Sequence, residues 1–175
     1  MEIEKKFLIF ENGINYSTDV ITVLFSSIDE LKNNALSIGK KIEQGYLPIE
    51  EGLQLAGILK LEFGFKPFEA RLRNKNGVHY FTLKGEGNLS RNEIEEKISE
   101  TLFNKYWPLT LYRRVEKVRF EKKYIEYNYE IDVYTDRDLI VGEIEIPKIE
   151  DVIKIPPLGK DITEDKRYKN KNLAK

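Results

Sequence analysis

Charged and apolar side chains alternate along most of this 175-residue chain. Successive side chains of a strand point to opposite faces, so the alternation predicts strands with one charged side. Over residues 2–8, Glu2, Glu4 and Lys6 share one face, and Ile3 and Phe7 take the other. Glu69, Arg71 and Arg73 oppose Ala70 and Leu72, and Tyr80, Thr82 and Lys84 oppose Phe81 and Leu83. Arg91, Glu93 and Glu95 oppose Ile94, Lys117 and Arg119 oppose Val118 and Phe120, Glu130 and Asp132 oppose Ile131 and Val133, and Glu143 and Glu145 oppose Ile144 and Ile146. This patterning predicts strands over 2–10, 18–25, 40–47, 67–74, 78–85, 90–96, 113–123, 125–135 and 138–146, about eight or nine in all.

Helices are expected where the period lengthens. Ser27-Ile-Asp-Glu30 is a capping box that starts a helix over 28–36, closed by Gly39. Pro48 suits the first turn of a helix over 49–60, whose apolar positions are Ile49, Leu53, Ala56 and Leu59. A stripe of Ile98, Leu102 and Tyr106 predicts a helix over 97–107 that Pro108 ends, with further short helices near 148–153 and from Thr163. Turns are expected at Asn12-Gly13, Asn74–Gly77, Lys122-Lys123 and Asp136-Arg137. With no repeat or linker, a single domain over 1–175 is the simplest organisation.

Two arrangements account for the charged faces. They are the solvated side of an antiparallel sheet, or the sheet closes into a barrel and they line its bore. The charges come in same-sign pairs along each strand (Arg-x-Arg, Lys-x-Arg, Glu-x-Glu, Glu-x-Asp), which repel and gain nothing as surface decoration. A lined bore would gather Lys6, Arg71, Arg73, Lys84, Arg91, Lys117 and Arg119 with Glu2, Glu4, Glu93, Glu95, Glu130, Asp132, Glu143 and Glu145. Guanidinium forks and ammonium groups at that density suit phosphoryl oxygens. Carboxylates without histidine or cysteine suit a hard divalent ion such as Mg²⁺ or Mn²⁺.

Composition sharpens this. Charged residues make up 34% of the chain, yet the formal net charge is only -1. Both signs are therefore gathered without the basic excess that a nucleic-acid partner favours. There is no cysteine, which removes disulfides and thiolate chemistry, and one histidine, His79, which excludes a histidine metal cluster. No apolar run reaches bilayer length, and Glu2 and Glu4 stand where a secretory signal would be basic and then apolar. The expectation is a soluble, cytoplasmic protein without a membrane or nucleic-acid partner.

The charged motifs together resemble the CYTH domain, or triphosphate tunnel metalloenzyme, family. Glu2-x-Glu4-x-Lys6 is similar to its hallmark, and Gln44-Gly-Tyr46-Leu47, Arg71-x-Arg73, Phe81-Thr-Leu-Lys84, Arg91-x-Glu93-x-Glu95, Lys117-x-Arg119, Glu130-x-Asp132 and Gly142-Glu-Ile-Glu145 follow in the family's order. The resemblance implies an α+β, mainly antiparallel fold, with an eight-stranded closed barrel as a tunnel and helices packed outside. It implies metal-dependent chemistry on a small triphosphate. Lys6, Arg71, Arg73, Lys84, Arg91, Lys117 and Arg119 would hold phosphates. Glu2, Glu4, Asp132, Glu143 and Glu145 would serve Mg²⁺ or Mn²⁺. Glu93, Glu95 and Glu130 would hold the basic side chains in place, and Lys117 with Tyr46 would position the attacking water. The family also allows a homodimer. The segments 18–36 and 48–66 make this chain longer than compact members.

The expected activity is hydrolysis of inorganic tripolyphosphate. The alternatives are cyclisation of ATP by a class IV adenylyl cyclase, hydrolysis of thiamine or nucleoside triphosphate, and a non-catalytic polyphosphate-binding module. Among single residues, His79 and Trp107 are expected to pack against helices, Lys5 to be solvated, and Glu69 to lie at the rim. The tail over 160–175 is expected to dock and to plug or border one mouth.

Overall fold

A computed structural model of the chain describes residues 2–174. Its strands are β1 (Glu2–Glu11), β2 (Ile14–Asn15), β3 (Lys40–Leu47), β4 (Glu69–Lys75), β5 (Val78–Lys84), β6 (Ser90–Arg91), β7 (Glu93–Ile98), β8 (Arg114–Tyr124), β9 (Tyr127–Tyr134), β10 (Leu139–Glu145) and β11 (Lys160–Asp161). Its α-helices are α1 (Asp19–Leu24), α2 (Ile28–Ile38), α3 (Ile49–Ile58), α4 (Glu100–Tyr106) and α5 (Asn170–Leu173). The fold is α+β and rich in antiparallel sheet. The described residues gather into two compact units, one of Glu2, 42–115 and 166–174, the other of 3–41 and 116–165.

In the first unit the strand order is β3-β4-β5-β7. The β4–β5 turn is a two-residue loop between Lys75 and Val78, at the place the sequence marks. Asn76 and Gly77 both have positive φ, 51° and 90°, as the tight hairpin turn that matches strand twist requires. The apolar face of this sheet carries Leu47, Ala70, Leu72, Phe81 and Leu83, packed against Leu55 and Ala56 of α3 and Phe103 and Tyr106 of α4. Helix α3 comes close to β4 because Gly52 lies over Ala70, where a Cβ would sit 2.3 Å from the alanine methyl. His79 packs on Phe103 with tilted rings 4.6 Å apart, and Phe103 stacks on Trp107 at 4.9 Å, so both aromatics pack at helix α4.

In the second unit the order is β11-β1-β10-β9-β8, with β2 folded back on the end of β1. Phe7, Ile9, Phe120, Tyr129, Ile131, Ile140 and Ile144 form its apolar face, covered by α1 and α2 through Val20, Ile21, Phe25, Leu31 and Ala35. Burying each such leucine or phenylalanine contributes about 1.5–3 kcal/mol. In both units the sheet therefore turns its apolar side to helices, and its charged side is the other one.

Several expected elements differ. Residues 18–25 are not a strand but the helix α1. The β-branched Val20, Ile21 and Thr22 suggest a strand, yet Val20, Ile21 and Phe25 are buried and Val23 is 70% exposed, a helical stripe rather than an alternation. The chain is pinned there by the Thr18 N–H donating to the Leu158 carbonyl. The β8–β9 turn lies at Ile125-Glu126, beyond Lys122-Lys123, because Tyr124 pairs with Tyr127. Ile125 takes φ 58°, an uncommon setting for a β-branched residue. The 90–96 strand splits into β6 and β7, and Ile98 ends β7 rather than starting a helix. The segment near 148–153 is a 3₁₀ helix over Ile149–Lys154. No helix among the described residues is long and apolar enough to cross a membrane.

Candidate active site

Much of the charged face is buried, although Glu95 and Glu145 are exposed. Lys6, Gln44, Glu69, Arg71, Thr82, Lys84, Lys117, Arg119, Asp132 and Glu143 are each no more than 9% exposed. A solvated sheet face is thereby excluded for these strands. Buried charge is costly unless it is paired and hydrogen-bonded. The register supplies the pairing: same-sign residues follow one another along a strand, but opposite signs face each other across strands, as with Lys84 and Glu93, Lys6 and Glu143, and Arg119 and Asp132.

In the first unit, the Lys84 ammonium lies 3.1 Å from Glu2 and 3.8 Å from Glu93. Burial pushes the Glu2 carboxyl up, a hydrogen bond with Glu93 pushes it further, and Lys84 opposes both. Arg71 reaches the Thr82 hydroxyl at 3.2 Å and Glu95 at 3.4 Å, and Thr82 donates to Glu95 at 3.0 Å. Burial works against the Arg71 charge, but the Glu69 and Glu95 carboxylates outweigh it and raise the guanidinium pKa. Its Nε–H is buried and has no hydrogen-bond acceptor among the described residues. Arg91 pairs with Glu69 at 3.5 Å. Arg73 donates to Gln44 at 3.2 Å, and Gln44 to the Tyr46 hydroxyl at 2.8 Å. Burial, then the Glu69 charge, pushes the Tyr46 phenol well above its usual range, so it stays protonated.

Behind this strand, Gly45 presses on the buried Thr110, where a Cβ would lie 2.5 Å from its hydroxyl. We expect Gly45→Ala to cost about 1–3 kcal/mol by overpacking, read as a lower midpoint in thermal melting. Glu69, expected at a rim, is 4% exposed and belongs with the buried charged set. Its position opposite Lys84 in the hairpin register could have revealed it. A cavity of about 420 Å³ is lined by Tyr46, Glu69, Arg113 and the apolar Leu47, Ile49 and Phe68, with Lys171, Asn172 and Ala174 of the tail at its edge. The tail docks, with Lys169 donating to the Gly87 carbonyl at 2.7 Å.

In the second unit, Asp132 is fully buried and receives both forks of Arg119, at 2.6 and 2.8 Å. Lys117, also fully buried, meets Asp132 at 2.7 Å. Burial pushes the Asp132 carboxyl up, but Arg119 and Lys117 prevail and hold it well below the usual carboxylate range. Arg119 also lies 2.9 Å from Glu130 and 3.4 Å from Glu143, and Lys6 lies 3.5 Å from Glu143. Burial opposes the Glu143 charge as well, yet Lys6 and Arg119 bring its pKa down to about 2. Against burial, Asp132, Glu143 and Glu130 hold Arg119 charged. Lys5 is not free in solvent but paired with Asp161 at 2.9 Å.

Glu4 and Glu145 stand directly opposite each other on β1 and β10, and Glu145 is exposed. Like charges so placed repel. No three acidic or histidine side chains gather into a metal cage among the described residues.

No family model matches the chain. It is 44% identical over 113 residues to an inorganic triphosphatase of Nitrosomonas europaea, covering 61% of this chain and 74% of the relative. It is 30% identical over 148 residues to an inorganic triphosphatase of Acetivibrio thermocellus, covering 79% of this chain and 95% of the relative. The crystal structure of the inorganic triphosphatase NE1496 is similar with a TM-score of 0.56 at 30% identity, over 99% of this chain and 94% of that one. The chain belongs to the CYTH, or triphosphate tunnel metalloenzyme, family. The PH1012 protein of Pyrococcus horikoshii has a similar fold, at 18% identity and TM-score 0.51, over 88% of this chain and 84% of that one.

Proposed function

We propose that the protein is a divalent-metal-dependent hydrolase of inorganic tripolyphosphate. The observation that carries this reading is the buried charged face, with the orphaned Arg71 Nε–H at its heart. A buried donor left without an acceptor costs about 1–3 kcal/mol, and a phosphoryl oxygen supplies the acceptor it lacks. Two curated relatives named inorganic triphosphatase support the activity.

In this reading Lys6, Arg71, Arg73, Lys84, Arg91, Lys117 and Arg119 bind the phosphate chain. Glu2, Glu4, Asp132, Glu143 and Glu145 are the acidic set that serves Mg²⁺ or Mn²⁺, and Glu93, Glu95 and Glu130 hold basic groups at their stations. A divalent metal held by this acidic set would supply positive charge to the phosphoryl oxygens. Water attacks the terminal phosphorus, the bridging P–O bond breaks, and orthophosphate and diphosphate leave, the water's proton departing with the products. The transition state is loose and spreads charge over the phosphoryl oxygens, so catalysis is chiefly positioning and electrostatic stabilisation. Lys117, held by Asp132, and Tyr46, kept neutral by burial, orient the reacting groups as donors.

The eight-stranded closed tunnel, with both units as parts of one domain over 1–175, belongs to the same proposal. So do a cytoplasmic location and the allowance for a homodimer. The partly apolar cavity beside Tyr46 and Glu69 favours a second reading, in which the triphosphate carries an organic group. The deciding experiment supplies tripolyphosphate, thiamine triphosphate, ATP and other nucleoside triphosphates with Mg²⁺ or Mn²⁺, and measures phosphate release and cyclic AMP. We expect release from tripolyphosphate to be fastest and to stop with a chelator. Cyclic AMP from ATP without phosphate release from tripolyphosphate would refute the reading.

A further inference from the structure

Arginine has only donors. The Arg73 Nε–H, 3.2 Å from Gln44, therefore fixes the Gln44 amide with its oxygen toward Arg73. The amide nitrogen must then face Tyr46, and it does, donating to the phenol oxygen at 2.8 Å. With its oxygen accepting, the Tyr46 hydroxyl keeps its own proton to donate, and among the described residues it makes no hydrogen bond as donor. Gln44 and Tyr46 are 0% and 3% exposed, so bulk water does not supply one freely. The backbone is held too: Gln44 pairs with Arg73 and Tyr46 with Arg71 across β3 and β4, the Tyr46 N–H donates to the Arg113 carbonyl at 2.9 Å, and Gly45 sits on Thr110.

We propose that Gln44 is a positioning residue that sets the direction of a hydrogen-bond chain, Arg73 to Gln44 to Tyr46, so that the Tyr46 hydroxyl donates to an oxygen of the bound phosphate chain. The inference rests on the triphosphatase reading and deepens it. It assigns Tyr46 the part of donor rather than base, and it gives Gln44 a role separate from packing. The raised phenol pKa agrees, because a phenolate could not donate.

The test is Gln44→Glu. A carboxylate keeps the Arg73 partner and the shape but only accepts, so it turns the Tyr46 proton inward, away from substrate. With tripolyphosphate and Mg²⁺ we expect kcat to fall at least about 10-fold, as for loss of one transition-state donor, with KM within about threefold. Tyr46→Phe should fall as far, and the double variant no further than the lower single, since both remove one interaction. Additive losses, or an unchanged kcat in Gln44→Glu, overturn the proposal.

A second readout does not depend on activity. The Raman tyrosine doublet of Tyr46, isolated as the difference from the matching Tyr46→Phe protein, reports whether the phenol oxygen accepts or its proton is donated. It should be acceptor-type in the free protein and donor-type in Gln44→Glu. In the unaltered protein it should gain donor character when inorganic tripolyphosphate is added. If Gln44→Glu does not fold, Gln44→Leu must lose the acceptor signature instead. A doublet that is the same in every variant overturns the chain's direction. A protein that fails to hydrolyse tripolyphosphate overturns the triphosphatase reading, while the free-protein doublet still decides how Gln44 directs Tyr46.

Discussion

Asp132→Ala is expected to lower stability by about 3–5 kcal/mol, because removing one partner of a buried ion pair strands the others. Here it strands Lys117 and Arg119, each in contact with Asp132 at 2.6–2.7 Å and both almost fully buried. Denaturant unfolding followed by circular dichroism measures the loss. Asp132→Asn, which keeps hydrogen-bonding capacity and loses only the charge, should lie between the two. Wild-type stability in either variant would mean that the cations find water or other partners. The same cluster sets the response to acid. A carboxyl with a depressed folded pKa stabilises above its unfolded pKa and loses that contribution as pH falls toward the folded one. Glu143, with an ordinary value of 4.5 and a folded value of about 2, contributes fully above pH 4.5 and progressively less down to about pH 2. Asp132 shifts in the same direction, so the unfolding midpoint should drop over that window, and drop less in the Asp132 variants.

Lys84→Ala is expected to reduce tripolyphosphate hydrolysis by about 100-fold or more while the protein stays folded. Lys84 is one of the proposed phosphate ligands, 5% exposed at the end of β5. Its removal leaves Glu2 and Glu93 facing each other, but these already share a hydrogen bond and Glu2 already holds its proton more tightly than a free carboxyl. The pair can keep one proton in place of the lost ammonium. A raised carboxyl pKa has the opposite sign to the Glu143 case: the ionised form is disfavoured in the fold, so the cost is present at neutral pH and relieved as pH falls. The Lys84→Ala melting temperature should therefore approach the unaltered protein's as pH is lowered from neutral, while phosphate release stays low. Phosphate release and thermal melting across pH measure both effects. Full hydrolysis with the lysine gone would remove Lys84 from the phosphate-binding set.

Strands were legible where period-two alternation was strong. The pairs Arg71/Arg73, Lys117/Arg119, Glu130/Asp132 and Glu143/Glu145 lie on strands as the pattern demands. Whether the charged face looked inward was not legible from any one strand, because a solvated face has the same alternation. Same-sign spacing along a strand becomes intelligible only across strands, where Arg119 meets Asp132 and Lys84 meets Glu93. Helix α1 was missed because local β-propensity outweighed its buried stripe, and its start depends on a partner 140 residues away, the carbonyl of Leu158. Gln44 was visible as part of a motif, but its role depends on Arg73, 29 residues on, which pairs with it only in the folded register.

The two compact units are interleaved along the chain: residues 3–41 and 116–165 make one, and 42–115 with 166–174 most of the other. Neither can be completed by a continuous stretch of sequence. During synthesis the first unit waits for the tail, whose Lys169 closes onto Gly87 across 82 positions. Such non-local closure slows folding and lengthens the time for which unpaired strands are exposed to aggregation. Expression of either half as a fragment is therefore a poor route to a folded sample.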